Sequence, residues 1–322
     1  MKAAVLYHPG GAENFSVETR LVPEAQEGHV LIKVKAFGLN RSELMTRKGL
    51  SPSVLFPRVL GIECVGEIVT DPLGIFRQGQ KVAAVMGEMG RQFDGSYAEY
   101  TVLPKEIIVP FRSDLEWSTL GAIPEMFHTV SGSLHLALKI AKDEALLIRG
   151  GTSSIGMLAI HIAKTFGLNV VATTRKKEKA EILLSNGANH VLIDDGNLSR
   201  QIRKIFPAGV NKVLELVGAS TLKDSLLCAA QGGSVCFTGM LSEQWSIKDF
   251  APMDYIPATV NLTVYDSGQV KMDAEHFQTF INDMEAGKIK INISKVFTLD
   301  EIIQAHQYME SNAGAGKIVV VT

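Results

Sequence analysis

The chain has 322 residues, 46% hydrophobic and 20% charged, with 32 Lys and Arg against 34 Asp and Glu; the length favours two domains, and no basic excess advertises nucleic acid. The apolar start at Met1–Tyr7 is too short for a signal peptide, and no run approaches the ~20 residues that cross a bilayer, so no membrane partner is expected. Cys64, Cys228 and Cys236 form no CxxC and cannot all pair, which fits a reducing, cytoplasmic setting.

Residues up to about 120 predict a β-rich region. Short apolar segments at Val30–Ala36, Glu67–Val69, Lys81–Val85 and Glu106–Val109 alternate with Gly and Pro. From about residue 124 the pattern changes. A helical run, Ser131–Ile140, precedes a strand at Ala145–Arg149. A helix, Ile155–Phe166, ends at Gly167, and strand Asn169–Thr173 leads to a helix, Lys176–Asn186. Strand His190–Ile193, a helix near Leu198–Phe206, strand Lys212–Leu216 and a helix at Thr221–Ala230 continue the alternation. Strands Gly233–Phe237 and Asn261–Tyr265 complete it. Apolar strands alternating with helices predict a doubly wound parallel sheet, an α/β Rossmann domain. Helices near Asp273–Ala286 and Leu299–Met309 and strand Lys317–Val321 are expected to return to the first domain. The division is 1–122, 123–267 and 268–322.

The most informative stretch is Ala145-Leu-Leu-Ile-Arg-Gly-Gly-Thr-Ser-Ser-Ile-Gly156. An apolar strand stops at a glycine pair and a helix begins within a few residues. The first N–H groups of such a helix, with its dipole, favour an anion, and the glycines let a pyrophosphate approach. Gly150, Thr152, Ser153, Ser154, Ile155 and Gly156 are therefore candidate dinucleotide contacts. The plain alternative is a tight turn in a nucleotide-free domain. An NAD-preferring site carries an acid at the end of the second strand. Here Thr173-Thr-Arg-Lys-Lys-Glu-Lys179 offers hydroxyls and cations. Thr173, Thr174, Arg175 and Lys179 suit a 2′-phosphate, which makes NADPH the expected cofactor. A solvated basic helix start is the alternative, although cations there oppose the helix dipole.

At this point the chain resembles the zinc-independent quinone oxidoreductase branch of the medium-chain dehydrogenase/reductase superfamily. The resemblance spans the whole chain. It rests on Ala36-Phe-Gly-Leu-Asn-Arg-Ser-Glu43, Leu60-Gly-Ile-Glu-Cys-Val-Gly66, Phe93-Asp-Gly-Ser-Tyr-Ala-Glu-Tyr100, Ile123-Pro-Glu-Met-Phe-His-Thr129 and the glycine turn. It implies a GroES-like catalytic domain beside the Rossmann domain. Zinc-dependent relatives carry Cys at the place of Asn40, His-Glu at Ile62-Glu63 and a third ligand near Glu125. Isoleucine cannot ligate, and three scattered cysteines cannot build a four-cysteine lobe, so no metal is expected. The resemblance also places Val217, Thr238, Gly239, Val264 and Lys317 at the cofactor. Thr129 could instead bond back to its helix, Gly239 could be a plain turn, and Lys317 a solvated strand flank.

Asn40, Thr129 and His128 are the candidate catalytic residues. His128 would supply the proton that completes a two-electron reduction, or would face a domain seam. Arg41 and Arg91 are possible acceptor-side cations, while Tyr97, Tyr100 and Cys64 read as structural. Three positions depart from the family: Ser153-Ser154 stand where a glycine pair is common, Asp194 where many relatives stack a Tyr near adenine, and Asn312 where some place an Arg. Without a Lewis acid, hydride transfer to a quinone or an α,β-unsaturated carbonyl is expected over alcohol oxidation. The alternative is an NADPH-binding protein with little turnover, acting as a sensor, a reservoir or a weak RNA binder. The apolar segment Val260–Val264 would form a sheet edge, from which a symmetric homodimer is expected.

Overall fold

The apolar runs of the sequence form three sheets in the computed structural model, which describes residues 1–52, 54–244 and 246–322. The chain divides into two units. One holds Met1–Phe127, Ser267–Lys288 and Ile293–Thr322; the other holds His128–Asp266 and Ile289–Asn292. The division falls inside the helix Pro124–Ser131, five residues later than its expected place.

In the second unit, six strands form one parallel sheet. Its spatial order is His190–Ile193, Asn169–Thr174, Ala145–Arg149, Val210–Glu215, Ala229–Phe237, Asn261–Val264. Numbered along the chain, that is 3-2-1-4-5-6, the dinucleotide-binding order, which reverses beside the first strand. All five residues of Ala145–Arg149 are buried, as a parallel strand covered on both faces requires. Leu147, Val171, Val213 and Val235 of the sheet pack with Leu198, Ile202, Leu222 and Leu226 of the helices. Fully burying each such side chain is worth roughly 1.5–3 kcal/mol. Asn261–Val264 lies at the sheet edge, and Val264 is 63% exposed.

The helix before the sheet begins earlier than its apolar pattern suggests, at Pro124, and widens to a π-helical stretch at Gly132–Ala137. Gly132 is needed there, because a Cβ would stand 1.9 Å from the Tyr265 ring. The helix expected at Lys176–Asn186 is a 3₁₀ turn, Lys177–Lys179, followed by Ala180–Ser185. The helix Leu222–Cys228 stops short because Ala229 already opens the next strand.

The first unit has a seven-stranded sheet and a smaller three-stranded one. His29–Gly38 is central to the larger, pairing antiparallel with Glu63–Thr70, Tyr100–Pro104 and Lys317–Val321. The terminal strand thus belongs to the first unit. The segment expected as Glu106–Val109 is a 3₁₀ turn, Lys105–Ile107, and a short strand, Ile108–Pro110. Tyr97 is fully buried, stacks on Phe37 and hydrogen-bonds His306 Nε2 at 3.1 Å. Cys64 is buried, and burial together with Glu63 pushes its thiol up to about 12. It packs as a small apolar group. Among the described residues no helix is long and apolar enough to cross a membrane.

Candidate active site

The glycine turn joins strand Ala145–Arg149 to helix Ser154–Thr165. Gly150 has φ +92°, which a side chain would resist. A Cβ on Gly156 would stand 2.5 Å from the Gly150 carbonyl oxygen, so the helix can start this close to the turn only with glycine there. Ser153 is the N-cap: its Oγ accepts the Gly156 N–H at 3.0 Å and donates to the Gly150 carbonyl at 2.8 Å. The Ser153 hydroxyl thus closes the turn. Helix geometry leaves the N–H groups of Ser154 and Ile155 without an acceptor inside the helix, which suits an anion.

The threonines at the end of the second strand are likewise bonded within the chain. Thr173 is 1% exposed and its Oγ1 accepts the Gly150 N–H at 3.1 Å; Thr174 is 4% exposed and its Oγ1 bonds the Lys176 backbone. Neither hydroxyl faces outward, because each holds a turn. The residues after them, Arg175, Lys176 and Lys177, are exposed, and Lys179 is half-buried.

Further along the same unit, Thr238 Oγ1 lies 2.9 Å from Ser133 Oγ. A Cβ on Gly239 would stand 2.4 Å from the Leu216 carbonyl oxygen. The Val217 N–H donates to Glu215 at 2.7 Å. His128 and Thr129 are 4% and 7% exposed, and His128 Nδ1 is 3.5 Å from the Tyr265 hydroxyl.

Beside the glycine turn is a buried charge network that the sequence reading missed. Arg149, fully buried, grips Asp194 with two hydrogen bonds, both at 2.8 Å. Its other nitrogen reaches Asp224, Ser225 Oγ and the Thr221 carbonyl, each at 3.0 Å. Asp224 in turn accepts from the Leu198 and Ser199 N–H groups at the start of helix Leu198–Ile205. Glu215, also buried, accepts from Ser225 and from the Val217 and Gly218 N–H groups. The available signal was one cation closing an otherwise apolar strand, since a buried charge demands partners.

The first unit holds a second buried cluster. Lys317, 1% exposed, donates to Glu63 at 2.7 Å and to the Asn40 side-chain oxygen at 2.5 Å. Asn40 Nδ2 donates to Glu63 at 2.9 Å and to Glu43 at 3.3 Å. Glu43 accepts the Asn40 and Ile62 N–H groups, while Glu63 accepts that of Glu125. Lys317 is thus not a solvated strand flank. Its ammonium neutralises Glu63 and orients Asn40. Burial first, and the charge of Glu63 second, push the Glu43 carboxyl up to about 7. Nearby, Arg41 donates to Asn312, and Arg91 donates to Ser42 Oγ at 2.6 Å. The Ile62 side chain has no atom that could ligate a metal. Among the described residues no group of three or more His, Cys, Asp and Glu stands where it could hold a metal ion.

Two family models match: a zinc-binding dehydrogenase model over residues 154–285 and an alcohol dehydrogenase GroES-like domain model over 26–113. The chain is 26% identical to the human quinone oxidoreductase, covering 100% of this chain and 98% of that protein. It is equally 26% identical to an acryloyl-coenzyme A reductase of Metallosphaera sedula, with both chains fully covered. Among solved structures, the Escherichia coli quinone oxidoreductase complexed with NADPH superposes with a TM-score of 0.89 at 20% identity, with both chains fully covered.

Proposed function

Given that this chain belongs to the medium-chain dehydrogenase/reductase superfamily, in its quinone oxidoreductase branch, we propose that it reduces a quinone or an α,β-unsaturated carbonyl with NADPH and without a metal. Bound NADPH supplies the hydride, from C4 of its nicotinamide. The observation that carries the choice of cofactor is the exposed Arg175–Lys177 run directly after the second strand, where an acid would select NADH. The Ser154 and Ile155 amides, opened by Gly150 and Gly156, hold the pyrophosphate. Asn40 is oriented by Lys317 and the carboxylates, with Thr129 and His128 as the other catalytic candidates. The Asn40 cluster already contains its own cation in Lys317, and Ile62 offers a metal nothing. An acceptor that spreads negative charge onto its own oxygen needs no Lewis acid.

The test is NADPH consumption over a panel of quinones and enals. Acceleration by either class is expected; NADPH binding without acceleration by any acceptor sinks the substrate reading. Arg175→Ala with Lys179→Ala should weaken NADPH binding and leave NADH nearly unchanged, and equal losses would remove their role. The exposed edge strand Asn261–Val264 supports a symmetric homodimer formed by edge pairing. A monomer in sedimentation at micromolar concentration would count against it.

A further inference from the structure

The Arg149 network lies beside the segment assigned to the 2′-phosphate. The Asp194 N–H donates to the Thr174 carbonyl at 2.9 Å, so Asp194 sits one strand spacing, about 5 Å, from the residue before Arg175. A carboxylate at that place would repel a 2′-phosphate, just as an acid at the second strand's end does when it selects NADH. Yet the Asp194 side chain is 9% exposed, with both oxygens held by Arg149 and one also by the Gly196 N–H. Asp224, 18% exposed, is held by the same guanidinium. Arg149 itself is fully buried, and each of its three nitrogens is engaged within the chain.

We propose that Arg149 is a specificity-determining residue that never touches the cofactor: it favours NADPH by masking the Asp194 carboxylate beside the 2′-phosphate place. The proposal rests on the NADPH reading above and adds its cause. Cations on the exposed turn attract the phosphate, and the guanidinium beneath removes what would repel it. The bidentate grip matters, because two parallel bonds fix both oxygens while a single contact leaves the carboxylate free to swing.

The experiment is calorimetric titration of NADPH and of NADH into the full-length wild type, Arg149→Met, and Arg149→Met with Asp194→Asn. The single variant should lose about tenfold in NADPH affinity, the effect of one unmasked charge beside a phosphate, with NADH changed by less than about twofold. The double variant should regain most of the NADPH preference, because an amide needs no mask. If Arg149→Met does not fold, Arg149→Lys takes its place; it keeps the charge without the two-pronged grip and should move the NADPH-to-NADH ratio the same way by less. Equal losses for both cofactors, an unmoved ratio in Arg149→Lys, or no recovery in the double variant would overturn the masking role. A wild type that binds both cofactors alike would instead sink the NADPH reading beneath it.

Discussion

The two units each bury a cluster of carboxylates around one cation, and they balance it differently. In the first unit, Glu43 and Glu63 share Lys317 through the Asn40 amide. A lysine is a point charge, and only Glu63 touches it, so Glu43 is left to lower its cost by holding a proton, at about 7. In the second unit, Arg149 spreads three nitrogens over Asp194 and Asp224. Burial is the largest single influence and opposes its charge, but the Asp194 hydrogen bonds together with the charges of Asp194, Glu215 and Asp224 hold it above its ordinary range. Burial raises Glu215 too, while Ser225 and the two backbone amides hold it back. Similar ingredients thus yield one carboxyl raised to about 7 and one guanidinium held above its ordinary range. The difference is the number and direction of donors on the cation.

The largest effect should come from Lys317→Met, which strands the buried Glu63 charge and releases Asn40. It should cost about 3–5 kcal/mol, and adding Glu63→Gln should recover most of it. Urea unfolding measures both; no recovery in the double variant would mean that Lys317 acts by packing alone. Next is the pH dependence of Glu43. Its carboxyl is raised in the folded chain, so its stabilising contribution is complete below about pH 4.5 and is lost as pH rises through about 7. Relative to Glu43→Gln, the wild type should lose roughly 3 kcal/mol across that window. Parallel stability curves would erase the contrast between the clusters. The smallest effect is Ser225→Ala. It removes a donor from Glu215 and an acceptor from Arg149, at about 1–2 kcal/mol. The cost should grow with rising pH, since Glu215 then rises further. A pH-independent cost would show that the hydroxyl does not restrain Glu215.

Much of the architecture was legible because strands of either kind are written as short, largely apolar runs. Lys81–Val85, Ala145–Arg149, His190–Ile193 and Lys317–Val321 stand where the pattern puts them. The glycines were legible for a similar reason: close backbone approach at Gly156 and Gly239 tolerates no other residue. The partners of the hydroxyls within the chain were not. Ser153, Thr173 and Thr174 have the chemistry of phosphate ligands, but a hydroxyl bonds whatever its turn brings near, and here that is the backbone. Nor could sequence order show that Asp194, Asp224 and Glu215 converge on Arg149. That meeting depends on which strands lie side by side.

The pairing of Lys317–Val321 with His29–Gly38 carries a cost in time. Asn40 follows the early strand directly, yet the lysine that orients it is made some 270 residues later. On the ribosome, the whole parallel-sheet unit emerges before that strand arrives. The early half must wait with an open sheet edge, a state prone to mispairing and dependent on a slow, long-range closure. Synthesis order therefore delays the Asn40 site until Lys317 has been made.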